Sequence, residues 1–413
     1  MKRRVVVTGI GAISPIGNDV PTMWENAKKG MNGIDFIKEF DSEGNAVKIG
    51  GEIKGYDLAE KFGRKALKRN DKFVLFGLVA TEEAVKDSGL NFLEMNTDRV
   101  GVYYGSGIGG LATIAAEEDK AKEKGYDRVS PFFIPSAIIN IAAGQIAIDY
   151  GIHGMVTSAV TACASATNSM GDGFRAIRDG YLDIVITGGA EASLIPLGLG
   201  GFNVMQALNK SNDPSCASIP FDVNRSGFVM GEGAGTLILE EYESAKERGA
   251  KIYAEMIGYG STCDAFHVTG PDPEANGARK CMELAVSDAG LKVEDVDYIN
   301  AHGTSTPLND KTETLAIKKA FKEHAYKLNV SSTKSMTGHL LGASGAIEAI
   351  FALLSTKDDF IPPTINTKTL DPICDLNYTL HVGVQKEVNV ALSNSLGFGG
   401  HNATVAFKKY RGE

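Results

Sequence analysis

Four segments in the second half of this chain answer four in the first, in the same order, and that repetition narrows the possible folds more than any other feature. Arg3–Gly11 (RRVVVTGIG) is answered by Ile252–Gly260 (IYAEMIGYG), and Val100–Gly110 (VGVYYGSGIGG) by Val296–Thr306 (VDYINAHGTST). Ile184–Ser193 (IVITGGAEAS) is answered by Val390–Gly400 (VALSNSLGFGG), and Val156–Ile177 (VTSAVTACASATNSMGDGFRAI) by Val330–Ile350 (VSSTKSMTGHLLGASGAIEAI). The likeness is one of pattern rather than identity. The segments share apolar or β-branched runs that lead into glycine or other small residues, which reads as buried strands entering tight turns. Strands apolar along their whole length belong in sheets covered by helices on both faces. The chain therefore reads as α/β, in two similar halves, 1–250 and 251–413, whose equivalent strand ends meet at one site.

The intervening stretches supply the helices. Met23–Lys29 and the strongly apolar Phe73–Lys86 read as helices, the second of them in the core. Glu117–Lys124 reads as a charged helix and Ile134–Tyr150 as a helical segment, while Leu182–Ala190 and Leu237–Glu240 read as strands. Polar, glycine-bearing Asp41–Asp57 reads as a surface excursion. Lys61–Lys72 (KFGRKALKRNDK) holds six basic residues and one acid, which on a helix makes a positive face.

That face stands out because the net charge of the 413 residues is −9. An acidic chain is a poor general binder of nucleic acid, which requires many phosphate-neutralising cations. No run of about 18 apolar residues is present, so no membrane span is expected. The N-terminal MKRRVVVTGIGAIS is short in its apolar part and broken by glycine, and reads as a first strand rather than a signal peptide. Five scattered cysteines (Cys163, Cys216, Cys263, Cys281, Cys374) form no CxxC pair, which argues against a disulfide framework or structural zinc and for a reducing cytoplasm.

Among these cysteines Cys163 is singular. It stands where a β-branched run ends in small residues, and Met170, Phe174 and Ile177 follow at helical spacing. A cysteine at a helix N-terminus meets free amides and the positive end of the macrodipole, and the thiolate is expected to be favoured there. A lone cysteine is more often inert core. Two histidines at glycine-flanked element ends in the second half, His302 and His339, change that balance. A Cys/His metal site would want a fourth ligand and closely spaced pairs, so none is expected. Gly105–Gly110 fits GxGxxG, but without the acidic residue that closes a dinucleotide site about twenty positions on it is a weak signal.

TACASA, HGTSTPLND, STKSMTGHLLGASG and NSLGFGGHN together resemble the condensing enzymes of the thiolase fold, over nearly the whole chain from Arg4 to Phe407. The Cys-His-His set is similar to that of elongating β-ketoacyl-[acyl carrier protein] synthases of the synthase II type. Initiating synthases use Cys-His-Asn and biosynthetic thiolases Cys-His-Cys. The resemblance implies a five-layered αβαβα fold, an acyltransferase and a decarboxylative Claisen condensation of malonyl-[acyl carrier protein] with an acyl group held on Cys163. Synthase I and polyketide-type ketosynthases share the set and stay open as alternatives, as does a non-catalytic partner subunit.

By position, the resemblance implies that the amides of Cys163 and Phe398 form an oxyanion hole and that neutral His302 and His339 donate to the thioester oxygen. Lys334 would order the site through Glu348, Asp310 and Glu313. For Glu348, neighbours Ile347, Ala349 and Ile350 already argue against an exposed helix carboxylate. Thr304 and Thr306 would hold the pantetheine arm, Phe398 with Gly399 would gate the site, and Ile108 and Phe133 would line the acyl pocket. Lys65, Lys68 and Arg69 would dock the acidic carrier protein. The resemblance further implies a cytoplasmic homodimer paired through Val156–Val160 and no cofactor. A monovalent cation near Asn300, Glu348, Ser393 and Asn394 is an open possibility.

Overall fold

The computed structural model describes residues 2–412. Among them, ten strands make one continuous ladder: β1 (Val5–Ile13), β2 (Val100–Gly105), β3 (Val156–Thr157), β4 (Ile184–Glu191), β5 (Gly233–Glu241), β6 (Ala254–Cys263), β7 (Tyr298–Asn300), β8 (Asn329–Ser331), β9 (Val390–Gly397) and β10 (His401–Lys409). Their order is β8-β7-β9-β10-β6-β1-β5-β4-β2-β3. Outward from the middle, the first half runs β1-β5-β4-β2-β3 and the second β6-β10-β9-β7-β8, the same topology twice. Pairing repeats as well. The two inner junctions of each half are antiparallel and the two outer ones parallel. Within the ladder the two halves pair where Val5–Val7 lie opposite Ala254–Met256.

The strands are buried along almost their whole length because helices cover both faces. Helix Lys72–Ser88, capped by the Asp71 side chain at one end and left-handed Gly89 at the other, lies on β1 and β5. It approaches so closely that a Cβ on Gly9 would stand 2.2 Å from the Ala84 carbonyl oxygen, and one on Gly11 1.9 Å from that of Ala80. Helix Ile141–Tyr150 shares this outer face, and helices Asn276–Asp288 and Pro307–Phe321 cover the second half. Between the halves lie Ser165–Arg178 and Ser344–Asp358, which touch each other and strands of both halves. The latter is buried from Ser344 to Thr356 and apolar nearly all round, as a helix sandwiched between sheets must be. The result is the layered helix–sheet–helix–sheet–helix arrangement.

Several boundaries differ from the sequence expectation for local reasons. Ile134–Tyr150 is two helices, Phe133–Ala137 and Ile141–Tyr150, because the Ala137 carbonyl is taken by the Gly110 amide. Helix Leu111–Lys124 begins well before Glu117, and Val20–Lys28 begins before Met23 because Asp19 caps it by accepting from the Thr22 amide. Asp41–Asp57 is no mere surface excursion: Val47 and Ile49–Glu52 are buried, and Ile49–Gly50 pairs with Asp35–Phe36. The basic stretch does not form one helix. Leu58–Leu67 is kinked at Gly63 (φ +76°), and Lys72 opens the next helix, ion-paired with Glu39 and with Glu232 at 3.0 Å. The strand expected over Val156–Val160 is confined to Val156–Thr157. No helix among the described residues is long and apolar enough to cross a membrane.

Candidate active site

Both halves place a tight turn before their sandwiched helix. In the first it is Ala162–Ala164, ahead of Ser165–Arg178; in the second it is Leu341–Ala343, ahead of Ser344–Asp358. Each turn opens on a residue of positive φ, Ala162 at +51° and Leu341 at +49°. Cys163 occupies the middle of the first turn and Gly342 the middle of the second. Ser165 Oγ locks the cysteine turn by accepting from the Thr161 amide at 3.0 Å and donating to the Ala162 carbonyl at 2.7 Å.

The position at a helix start is as expected, but the ionisation is not. Burial pushes the Cys163 thiol up to about 12, against the opposing charge of Lys334 and the Phe398 amide directed at the sulfur; Glu191 and Glu348 add to the rise. Cys163 is a thiol at neutral pH. Desolvation of the thiol of this buried residue outweighs the helix terminus.

His339 and His302 complete the cluster. The Nε2 of His339 lies 3.1 Å from Cys163 Sγ, and its Nδ1 lies 2.9 Å from Ser344 Oγ. The His302 ring stands edge-on to it with centroids 5.2 Å apart. Burial, then the charge of Lys334, holds both imidazoles well below their ordinary pKa, so both are neutral. Lys334 Nζ donates to His302 Nδ1 at 3.4 Å. An ammonium only donates, so the proton of neutral His302 sits on Nε2.

Glu348 ion-pairs with Lys334, both side chains being almost wholly enclosed. Burial nevertheless raises the Glu348 carboxyl to about 7. Asp310 and Glu313 do not reach Lys334, contrary to the sequence expectation. They project from helix Pro307–Phe321 onto the loop that carries His302. Glu313 accepts the amides of His302 and Gly303, both at 2.8 Å, and Asp310 those of Ser305 and Phe221. Their work is to fix the histidine loop. Glu348 Oε2, Asn300 Oδ1 and Ser393 Oγ are buried and lack a hydrogen-bond partner, while Asn394 is engaged by Glu313 and Thr404.

Cys163, His302 and His339 open into a cleft of about 780 Å³ whose walls include Thr304, Thr306, Phe398, Phe202 and Phe228. The Thr304 and Thr306 hydroxyls are 2.9 Å apart. Phe398 is half-buried between Gly397 and Gly399, and the Gly399–Gly400 pair is left-handed (φ +85° and +78°). Neither Ile108 nor Phe133 lies in the cleft wall. Ile108 packs one layer behind, on the cluster containing Leu341, and Phe133 is half-buried on its own short helix. Lys65, Lys68 and Arg69 are exposed and make no ion pair; Arg69 stacks over Phe132 at 4.7 Å. The three ligand atoms of Cys163, His302 and His339 lie within 4.8 Å of one another. The Lys334 ammonium against His302 works against a metal cation there.

The GxGxxG loop is already occupied from within. Glu191, at the end of β4, accepts from the amides of Gly107 and Ile108 and from the Ser106 hydroxyl, so the loop's amides are spent on a buried carboxylate. Sequence reasoning missed Glu191, although an acid ending an apolar strand was a readable signal. It also missed Ser344, which the repeat aligns with Ser165. Phe228, edge-on to His339 at 5.1 Å, left no signal.

The β-ketoacyl synthase N-terminal domain matches residues 2–245 and the corresponding C-terminal domain residues 253–368. The chain is 50 % identical over 408 residues to 3-oxoacyl-[acyl-carrier-protein] synthase 2 of Staphylococcus aureus (strain COL), covering 99 % of each chain. It is 51 % identical over 411 residues to the protein of that name from Synechocystis sp., again covering 99 % of each. Among solved structures, a type II polyketide ketosynthase in complex with its acyl-carrier protein is 34 % identical with a TM-score of 0.91, and each chain is covered in full. A β-ketoacyl synthase from Burkholderia phymatum STM815 is 31 % identical, also with full coverage and a TM-score of 0.91. With its doubled topology and its Cys-His-His cluster at the turn between sheet and sandwiched helix, the chain belongs to the β-ketoacyl synthase family.

Proposed function

We propose that this protein lengthens fatty acyl chains carried on acyl carrier protein, by condensing them with malonyl-carrier to give 3-oxoacyl-carrier and CO2. The observation that carries the reading is the juxtaposition of Cys163 Sγ with His339 Nε2 at 3.1 Å, beside a second neutral imidazole, at the floor of an open cleft. In the first step the cysteine sulfur attacks the acyl thioester. The thiol proton passes to His339, whose depressed basicity cannot retain it, and leaves with the departing carrier thiol. The Cys163 and Phe398 amides receive the developing oxyanion.

Malonyl-carrier then enters, with Thr304 and Thr306 placed to bind its pantetheine arm. As CO2 leaves, the thioester oxygen gains charge. His302 meets it with the Nε2–H that Lys334 enforces. Ser344 Oγ can donate or accept, so His339 can also present an N–H once the sulfur is acylated. The carbanion attacks the acyl-Cys163 carbonyl, a carbon–carbon bond forms, and the sulfur departs as thiolate and takes a proton from solvent. Lys334, Glu348, Asp310 and Glu313 hold this geometry.

The exposed basic side chains Lys65, Lys68 and Arg69 suit an acidic carrier protein. The open edge of β3, with Met155 and Val160 more than half exposed, suits a second copy of the chain. The orphaned oxygens of Asn300, Glu348 and Ser393 make a donor set fit for a hard monovalent cation, which would neutralise the second Glu348 oxygen. The reading places the enzyme in the cytoplasm. A polyketide-type ketosynthase shares the site, but identity of 50–51 % to proteins named 3-oxoacyl-[acyl-carrier-protein] synthase 2 against 34 % to the polyketide enzyme favours fatty acyl elongation.

The test is intact mass after incubation with an acyl-carrier thioester, followed by peptide mapping. One acyl adduct on Cys163, released as a longer 3-oxoacyl-carrier when malonyl-carrier is added, supports the reading. Absence of any adduct at every chain length refutes it.

A further inference from the structure

The second-half turn raises a question that the first does not. Cys163 and Gly342 stand at equivalent places ahead of equivalent helices, yet only one carries a nucleophile. The free amide of Gly342 points at an anion that the protein itself supplies: Glu191 Oε2 accepts from Gly342 N at 3.0 Å and from Gly107 N at 2.7 Å. The other oxygen accepts from Ser106 Oγ at 3.1 Å, Ile108 N at 3.2 Å and Ser193 Oγ at 3.2 Å. Glu191 is fully buried and among the described residues forms no salt bridge; burial raises its carboxyl and the surrounding donors oppose that rise. Burying a carboxylate without a cation is costly unless hydrogen bonds replace its water, and five donors do so here.

Both loops are stripped of side chains for this purpose. A Cβ on Gly107 or on Gly342 would stand 2.8 Å from Glu191 Oε2, and one on Gly342 would also stand 2.2 Å from the Gly107 nitrogen. The carboxylate thus clasps a loop of the first half to the turn of the second. What it clasps is one step from the chemistry on both sides. Two residues beyond Gly342 is Ser344, which holds His339 Nδ1. Gly107 abuts the cysteine turn, its would-be Cβ lying 3.4 Å from the Ala162 carbonyl oxygen.

We propose that Glu191 is a positioning residue for the condensation: it fills the second half's counterpart of the nucleophile turn and, through Gly107 and Gly342, sets the spacing and the field of the Cys163–His339 pair. This rests on the reading of Cys163 as the nucleophile, which acylation of the parent enzyme tests separately. The charged and titratable groups facing Cys163 are His339, His302, Lys334, Glu348 and Glu191. Of these, Glu191 and Glu348 oppose loss of the thiol proton, whereas Lys334 favours it.

The test is Glu191→Gln in the full chain. The isosteric amide keeps the volume but has one acceptor oxygen: left on Gly107 and Gly342 it turns its NH2 onto the Ile108 amide, and reversed it turns the NH2 onto both clasped amides, so one side of the clasp is lost either way. Expected are a kcat lower by roughly tenfold to a hundredfold, as misplacement of about 1 Å produces, and a carrier KM within about twofold of the parent. The rate of Cys163 alkylation by iodoacetamide, followed by intact mass against pH, should shift its midpoint to lower pH because a negative charge has gone. A merely structural role would lower the melting temperature without moving that midpoint. An unmoved midpoint with kcat within about twofold overturns the proposal, as does a kcat loss explained by the unfolded fraction alone. Should Glu191→Gln fail to fold, Ser106→Ala removes a single donor from the same carboxylate. A several-fold lower kcat with unchanged KM then supports the proposal, and parental kinetics overturn it.

Discussion

Replacing Lys334 by methionine separates the two tasks that its ammonium performs. Its side chain is 1 % exposed and that of Glu348 3 %, so the pair is sealed from water. Deleting one member strands the other as an uncompensated buried charge, at a cost of about 3–5 kcal/mol. The orphaned Glu348 Oε2 places this variant at the upper end of that range. Replacing both members by methionine removes the desolvation penalty along with the attraction, so K334M/E348M should lie within about 1–2 kcal/mol of the parent. Activity should not follow stability. Both variants leave His302 Nδ1 without its donor, free the imidazole to choose the wrong tautomer, and lose on the order of a hundredfold in kcat.

The pH dependence carries a sign. The folded-state carboxyl of Glu348 sits near 7, above the ordinary 4.5, and loss of Lys334 moves it further up. Its contribution is therefore fully present below the unfolded value and is lost as pH rises through the folded one. K334M should lose least against the parent at about pH 5 and most at about pH 8. Urea unfolding of the parent, both single variants and the double variant, in buffer free of sodium and potassium, measures all of this. A K334M cost below about 1 kcal/mol, or a double variant as unstable as the sum of the singles, would refute the reasoning.

Cys163→Gln should retain malonyl-carrier decarboxylation while losing condensation, because the amide mimics the acylated state; CO2 release without carrier elongation checks it, and loss of both activities counts against the division of labour. Lys65→Glu should raise the carrier KM, most at low salt where exposed charges are least screened, and an unchanged KM across ionic strength removes the docking role. Val160→Lys, at an open edge beside β3, should shift sedimentation from dimer to monomer; a parent that sediments as a monomer removes the edge-pairing reading. His302 and His339 are neutral when folded, with pKa values below the ordinary 6.5. The unfolded chain therefore takes up protons that the native state refuses as pH falls through that value. Denaturation near pH 5–6 should show stability falling by up to about 1.4 kcal/mol per pH unit for each histidine.

The amino-acid sequence determined the doubled architecture, because buried strands and glycine turns leave their mark in the order of residues wherever they recur. It also determined the chemical identities of the site, since Cys163, His302 and His339 stand at matching element ends. Short-range signals failed where distant backbone intervened. The Gly110 amide breaks the Ile134–Tyr150 helix by taking the Ala137 carbonyl, and buried partners fold Ile49–Glu52 inward. Only the tertiary structure decided the electrostatics. A helix start suggests a thiolate, but the depth at which Cys163 lies makes it a thiol. Spacing groups Asp310 and Glu313 with Lys334, but the direction of their helix turns them onto the histidine loop. A glycine motif invites a phosphate, but Glu191 reaches it first from another strand. Charge states depend on desolvation and on neighbours brought from far along the chain, and those exist only once the two halves have closed on one another.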